Sequence, residues 1–258
     1  MRRVLVIGIG AGDPEHLTVQ AINALNEVDV FFVIDKPSER QDLVRLRKEI
    51  CDRYIEGKSY RMVEVRDPER DRTAAAYRSA VETWRSRRAD IWEGLIRDEL
   101  PDGGCGAFLV WGDPAFYDST LAVIDQIFAR GAVEFEHEVI PGISSIQALA
   151  ARHRIPLNRV GQPIQITTGR RLSEGFPGAA DDVVVMLDAD CSFRLVTDGE
   201  TEIYWGAYVG TEDEILVAGK LRDVAEEIER VRSEARERKG WVMDIYLLRR
   251  PDTGEPQS

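Results

Sequence analysis

Through the first half of the chain, short and nearly continuous apolar runs alternate with stretches of helical periodicity, the pattern of buried parallel strands joined by helices. Residues 3–7 predict a first strand, followed by the glycine-rich turn Gly8-Ile9-Gly10-Ala11-Gly12-Asp13-Pro14-Glu15. A helix then opens at Leu17-Thr18, with Thr18 as cap and Val19, Ile22, Ala24 and Leu25 facing inward. Residues 29–34 read as a second strand ending at Asp35, and residues 39–53 as a charged helix with Leu43, Leu46 and Ile50 on one side. Residues 62–65 form a short strand. Residues 73–100 form a long amphipathic helix whose stripe of Tyr77, Ala80, Val81, Trp84, Ile91, Trp92, Leu95 and Ile96 is a packing face.

The next unit of the pattern is the most informative. An apolar run at 106–110 leads into Trp111-Gly112-Asp113-Pro114-Ala115-Phe116-Tyr117-Asp118-Ser119-Thr120, and a helix with apolar positions 121, 123, 124, 127 and 128 follows. Gly112-Asp113-Pro114 therefore sits where a parallel strand ends, the place where open α/β sheets bind ligands. Glycine admits close backbone approach, and Asp113 is either a ligand acceptor or a turn cap. Residues 133–140 are another strand, ending in Pro141-Gly142-Ile143-Ser144-Ser145, and Ser144 or Ser145 caps a helix over 146–151.

The second half is richer in strands, at 162–167, 182–187, 202–207 and 241–248. Residues 213–215 start a turn, and 223–238 form a helix with Val224, Ile228 and Val231 inward. The expected fold is α/β, with two α/β domains and a ligand cleft between them, the first sheet mainly parallel and the second mixed. The first domain covers residues 1–150 with a helical insert at about 36–104, and the second covers 151–258 with a short polar tail; the break falls near 141–156.

Composition narrows the function classes. A net charge of −12 over 258 residues argues against general nucleic-acid binding, which needs a basic face. The longest early apolar run, residues 28–34, is short and broken by Asp29, so no membrane span is expected, and the amino end is read as a strand rather than a leader. Cys51, Cys105 and Cys191 show neither a disulfide framework nor metal spacing, and His16, His137 and His153 form no metal motif, which suits a metal-free cytoplasmic protein.

A dinucleotide fingerprint starting at Gly8 would need its sixth residue to be glycine, but that residue is Asp13; starting at Gly10 it is Glu15. Acidic residues at the mouth of a helix also repel a pyrophosphate. A nicotinamide dehydrogenase with Asp35 on a ribose is accordingly disfavoured. In contrast, residues 139–173 hold Arg152, Arg154, Arg159, Arg170 and Arg171 and no acid at all. These arginines either pair with acids elsewhere in the fold or form a local field for an anionic small molecule.

Three stretches together resemble the tetrapyrrole methylase family, the class III methyltransferases that use S-adenosylmethionine. They are Val6-Ile7-Gly8-Ile9-Gly10-Ala11-Gly12-Asp13-Pro14, Gly112-Asp113-Pro114, and Pro141-Gly142-Ile143-Ser144-Ser145 with Ile155-Pro156-Leu157. Within the family, residues 111–120, Ile166-Thr167-Thr168-Gly169-Arg170-Arg171 and Ile203-Tyr204-Trp205-Gly206-Ala207-Tyr208 are similar to the deacetylating branch of cobalamin biosynthesis. The chain departs from the family at Ala11, where proline is usual, and at Trp111, where many members have glycine.

The resemblance implies a homodimer that binds S-adenosylmethionine and releases S-adenosylhomocysteine. The implied cofactor contacts are Ala11, the backbone at Trp111, Gly112 and Asp113, then Phe116, Ser144, Ser145, Met186, Tyr208 and Val209. The implied substrate is precorrin-5, a carboxylate-rich tetrapyrrole methylated at C1 with loss of acetate, for which Arg152, Arg154, Arg170 and Arg171 are candidate partners. Asp13, Tyr117 and Asp118 are the candidate base or donor for deacetylation. A family member acting on another acceptor, and a non-catalytic protein that binds S-adenosylmethionine or a tetrapyrrole, stay open as alternatives.

Overall fold

The computed structural model describes residues 1–35, 41–69 and 77–251. The polar tail beyond 251, the expected helix start at 73–76 and the side chains of Asp35, Leu43 and Tyr77 lie outside the described residues. The chain divides into two compact units, Met1–Ser144 and Ser145–Ser258.

In the first unit, β1 (Arg2–Gly8), β2 (Val30–Asp35), β3 (Arg61–Arg66), β4 (Cys105–Val110) and β5 (Phe135–Ile140) form one sheet in the order β3-β2-β4-β1-β5. Every pairing in it is parallel. Side chains alternate across the two faces, so β1 sends Val4 and Val6 into one core and Leu5 and Ile7 into the other. Helices α1 (Val19–Leu25) and α2 (Gln41–Tyr54) supply Leu25 and Ile50 to the second core, while α3 (Tyr77–Glu99) and α4 (Thr120–Arg130) supply Trp92, Ile96 and Ile124 to the first. Burial on both faces is why β1 and β4 read as unbroken apolar runs. Trp92 stacks on Phe108 with ring centroids 4.1 Å apart, placing the tryptophan stripe of α3 in the core.

The second unit holds β6 (Ile164–Thr168), β7 (Asp182–Met186), β8 (Glu202–Ala207), β9 (Ile215–Lys220) and β10 (Asp244–Arg249) in the order β6-β7-β10-β8-β9. Only β6 and β7 pair in parallel, so this sheet is mixed. Helices α5 (Ser145–His153), α6 (Gly169–Leu172) and α7 (Leu221–Lys239) complete the unit.

Some local expectations change. Thr18 caps α1 by accepting from the Ala21 amide at 3.0 Å. The helix then turns Ala21, Ala24 and Leu25 inward and leaves Val19 74% exposed, not on the inner face. The turn expected at 213–215 is followed at once by β9, whose pattern alternates too weakly to announce a strand. Helix α5 packs on β8 and β10 and so belongs with the second unit. The one-turn α6 is too short to leave a periodic signal.

Candidate functional site

The topology of the first sheet marks a ligand position. β1 passes through α1 to β2, stepping over β4, and β4 passes through α4 to β5, stepping over β1. Two neighbouring strands thus send their chains in opposite directions, the switch point beside which open α/β sheets bind ligands. The loops leaving their carboxyl ends are the glycine-rich turn after Gly8 and the stretch after Val110. They meet through an antiparallel bridge, in which Gly10 N donates to Gly112 O at 3.3 Å and Gly112 N to Gly10 O at 2.8 Å. The loop after β5 joins them so closely that a Cβ on Gly142 would lie 2.1 Å from the Gly112 oxygen, and one on Gly8 2.6 Å from Gly142 N.

Asp113 locks this junction. Its Oδ1 accepts from Ala115 N at 2.8 Å and its Oδ2 from Gly142 N at 2.9 Å. Both oxygens are therefore committed to backbone, and the side chain ties the second loop to the third. Asp13 caps a single 3-10 turn through Glu15 N at 2.8 Å. Asp118 accepts from Thr120 N at 2.6 Å at the start of α4, a task that Ser119 leaves undone. Tyr117, next to Asp118 in the chain, has φ of 50° and is 48% exposed, and desolvation raises its phenol above the ordinary value. Ala11 and Ser144 are buried, while Trp111 and Phe116 are half-buried in the same loops.

Arg47 was not anticipated, because nothing in the charged α2 distinguishes it from its neighbours. Its Nε donates to Leu109 O at the end of β4, 3.2 Å away. Burial lowers its guanidinium below the ordinary value, and the nearby Asp118 charge opposes that shift.

In the second unit, Met186 of β7 and Gly206 of β8 both face Ile245 of the antiparallel β10, and Thr168 of β6 faces Met186. Arg170 and Arg171 after β6, Met186 and the loop after β7, and the Tyr208-Val209 corner after β8 therefore gather at one end of this sheet. Tyr208 is buried with φ of 49°; its hydroxyl donates to Trp241 O and its ring packs edge-on against Trp241. Its backbone is engaged as well, N donating to Met243 O at 2.9 Å and O accepting from Thr211 N at 2.9 Å. Ser145 starts α5 and is half-buried.

A second unanticipated anchor is Asp188, which is buried beyond Met186. It accepts from Ser192 N at 2.6 Å, Ser192 Oγ at 2.9 Å, Asp190 N at 3.1 Å and the Tyr246 hydroxyl at 2.6 Å. Burial, with that carboxylate, pushes the Tyr246 phenol far up. The network holds Leu187 in a left-handed conformation with φ of 54° and 64% exposure.

Much of the arginine-rich stretch is committed within the fold. Arg152 pairs with Glu214 through Nε at 2.6 Å, and Arg171 with Glu174 at 2.6 Å. Arg159 and Arg249 converge on the fully buried Asp182 at 3.3 and 2.7 Å. Arg154 is exposed with φ of 58° and has no ion pair among the described residues.

A family model, Tetrapyrrole (Corrin/Porphyrin) Methylases, matches residues 3–225. The chain belongs to the tetrapyrrole methylases. It is 52% identical over 250 residues to a Sinorhizobium precorrin-6A synthase [deacetylating], covering 97% of this chain and 96% of that protein. This methylase is also similar in structure to a cobalamin-synthesis-related protein of Corynebacterium diphtheriae, with TM-score 0.84 and 37% identity over 98% of this chain and 100% of that one. A Thermus thermophilus uroporphyrin-III C-methyl transferase solved with S-adenosylhomocysteine shares the fold, with TM-score 0.56, at 19% identity over 95% of this chain and 91% of that one. Among the described residues of the methylase, no cluster of His, Cys, Asp or Glu could hold a metal ion, and no helix is long and apolar enough to cross a membrane.

Proposed function

We propose that this tetrapyrrole methylase is the S-adenosylmethionine-dependent enzyme that methylates precorrin-5 at C1 and releases the ring acetyl group as acetate, giving precorrin-6A. The observation that carries the reading is the 52% identity to a precorrin-6A synthase [deacetylating] along nearly the whole of both chains.

The chemistry of the loops fits the cofactor. Residues 8–13, 111–119 and 141–145 contain no lysine or arginine, but they carry Asp13, Asp113 and Asp118. Such loops repel a pyrophosphate and suit a cationic sulfonium. When bound, S-adenosylmethionine supplies an electrophilic methyl group on sulfur. The chain's own part is then alignment and exclusion of water, which do not call for a nucleophilic side chain.

We assign cofactor contact in the first unit to Ala11, Phe116, Ser144 and the backbone of Trp111-Gly112-Asp113, with Asp113 acting through the loop that it holds. In the second unit we assign it to Ser145, Met186 and the backbone of Tyr208-Val209. Asp13, Tyr117 and Asp118 are assigned to deacetylation, because each of the two carboxylates caps its turn through Oδ1 and keeps Oδ2 for a water or substrate proton. Arg154 is the foremost carboxylate partner of the substrate; Arg152, Arg170 and Arg171 would each have to leave partners within the fold to serve. We further infer a cytoplasmic homodimer, which light scattering of the purified protein at micromolar concentration would test.

The deciding experiment is turnover with precorrin-5 and S-adenosylmethionine, read by mass spectrometry. One methyl gained and one acetyl lost supports the assignment. A methyl gained with the acetyl retained points to another precorrin step, and no turnover despite S-adenosylhomocysteine binding points to a binding protein.

A further inference from the structure

The ends of β2 and β4 separate before the strands finish. Their pairing stops at Phe32 and Phe108, whereas β4 continues beside β1 to Val110. In a parallel sheet, successive residues bond to opposite neighbours. Val110 O accepts from Ile9 N on the β1 side, and Cys105 O accepts from Asp29 N on the β2 side. Leu109 O therefore points toward β2, beyond the last β2–β4 pair. Arg47 of α2 occupies that place, with Nε donating to Leu109 O at 3.2 Å. The same guanidinium lies in the field of Asp118, whose Oδ1 caps the start of α4. One cation on α2 thus bonds the strand that enters the 111–119 loop and lies in the field of the carboxylate near its exit.

We infer that Arg47 is a positioning residue of the methylase, fixing the 111–119 loop through Leu109 O and acting on Asp118 by its charge, so that the second Asp118 oxygen reaches the substrate in one geometry. This rests on the proposed function. A purely structural contact would cost stability in proportion to its hydrogen bond. A positioning contact costs turnover beyond that, and the cost vanishes once Asp118 is gone.

The test is a double-mutant cycle of R47M, D118N and the pair, with R47K alongside, each assayed for kcat, KM, S-adenosylhomocysteine affinity and urea midpoint. R47M is expected to lower kcat about tenfold or more while cofactor affinity stays within about twofold, and the double variant to be no slower than D118N alone. R47K, which keeps the charge, should recover part of the loss. Equal kcat in folded R47M, or losses that multiply in the double variant, would overturn the inference. If the wild-type protein does not turn over precorrin-5, the functional reading has failed instead. The urea midpoints of the same cycle then decide the Arg47–Asp118 coupling: additive shifts overturn it, and non-additive shifts uphold it.

Discussion

Asp113 and Arg154 are two candidate site residues whose surroundings carry tests of their roles. Asp113 stands at the expected strand end, but each of its oxygens accepts a backbone amide hydrogen. Asp113→Asn would present an N–H₂ group to one of those donors, so we expect a loss of about 1–3 kcal/mol in urea unfolding, together with weaker S-adenosylhomocysteine binding by calorimetry. Unchanged stability would show that the clamp is not needed. Arg154 stands just beyond α5, where Ile155 N bonds back to Ala150 O, and its left-handed φ suits glycine better than arginine. Arg154→Gly should stabilise the protein by up to about 1 kcal/mol and at the same time raise KM for the tetrapyrrole. A stabilised variant with unchanged KM would remove Arg154 from the substrate site.

At the level of elements, the glycine junction and the strand entrances carry different loads. Gly142 has no room for a side chain because three backbones meet there. Gly142→Ala must push the β4 and β5 loops apart, with an expected loss of about 2 kcal/mol or more and of cofactor binding, measurable by the same two methods. At the opposite end of the sheet, Asp29 accepts from Cys105 N at 2.8 Å and pairs with Lys58 at 2.9 Å, joining the starts of β2 and β4. The bond from Cys105 N, aided by Lys58 and opposed by burial, lowers its folded-state pKa. A depressed carboxylate stabilises the fold above its unfolded value of about 4 and loses that contribution as pH falls through the lower folded value. Asp29→Asn should therefore be less stable than wild type at pH 7, and the difference in urea midpoint should narrow toward pH 3. A gap that stays constant would mean that the charge on Asp29 contributes nothing.

For the whole molecule, the three free thiols report how well both units exclude water. Cys51 and Cys105 are buried in the first unit and Cys191 is partly accessible in the second. Burial pushes the Cys51 thiol up to about 12 and raises the other two, so each is held in the unreactive protonated form. A thiol reagent at pH 8 should label Cys191 slowly in the native protein and all three cysteines in urea. Rapid native labelling of Cys51 would mean that the face of the first sheet covered by α1 and α2 opens readily.

The sequence by itself determined the order of elements in the first unit, the parallel first sheet, the mixed second sheet and the three loops that meet at the candidate site. Unbroken apolar runs such as residues 106–110 require burial on two faces, and glycines at 8, 112 and 142 require close backbones. It also carried the family, since the motifs lie at matching places along the chain. Only tertiary structure decided which polar groups are already committed. The arginine-rich stretch lacks acids locally, yet Arg152 meets Glu214 and Arg159 meets Asp182 across long separations in the chain. Arg47 and Asp188 were invisible for the same reason. A hydrogen bond joins groups that are near in space, and no periodicity along the chain records that Leu109 O faces α2 or that Tyr246 reaches Asp188.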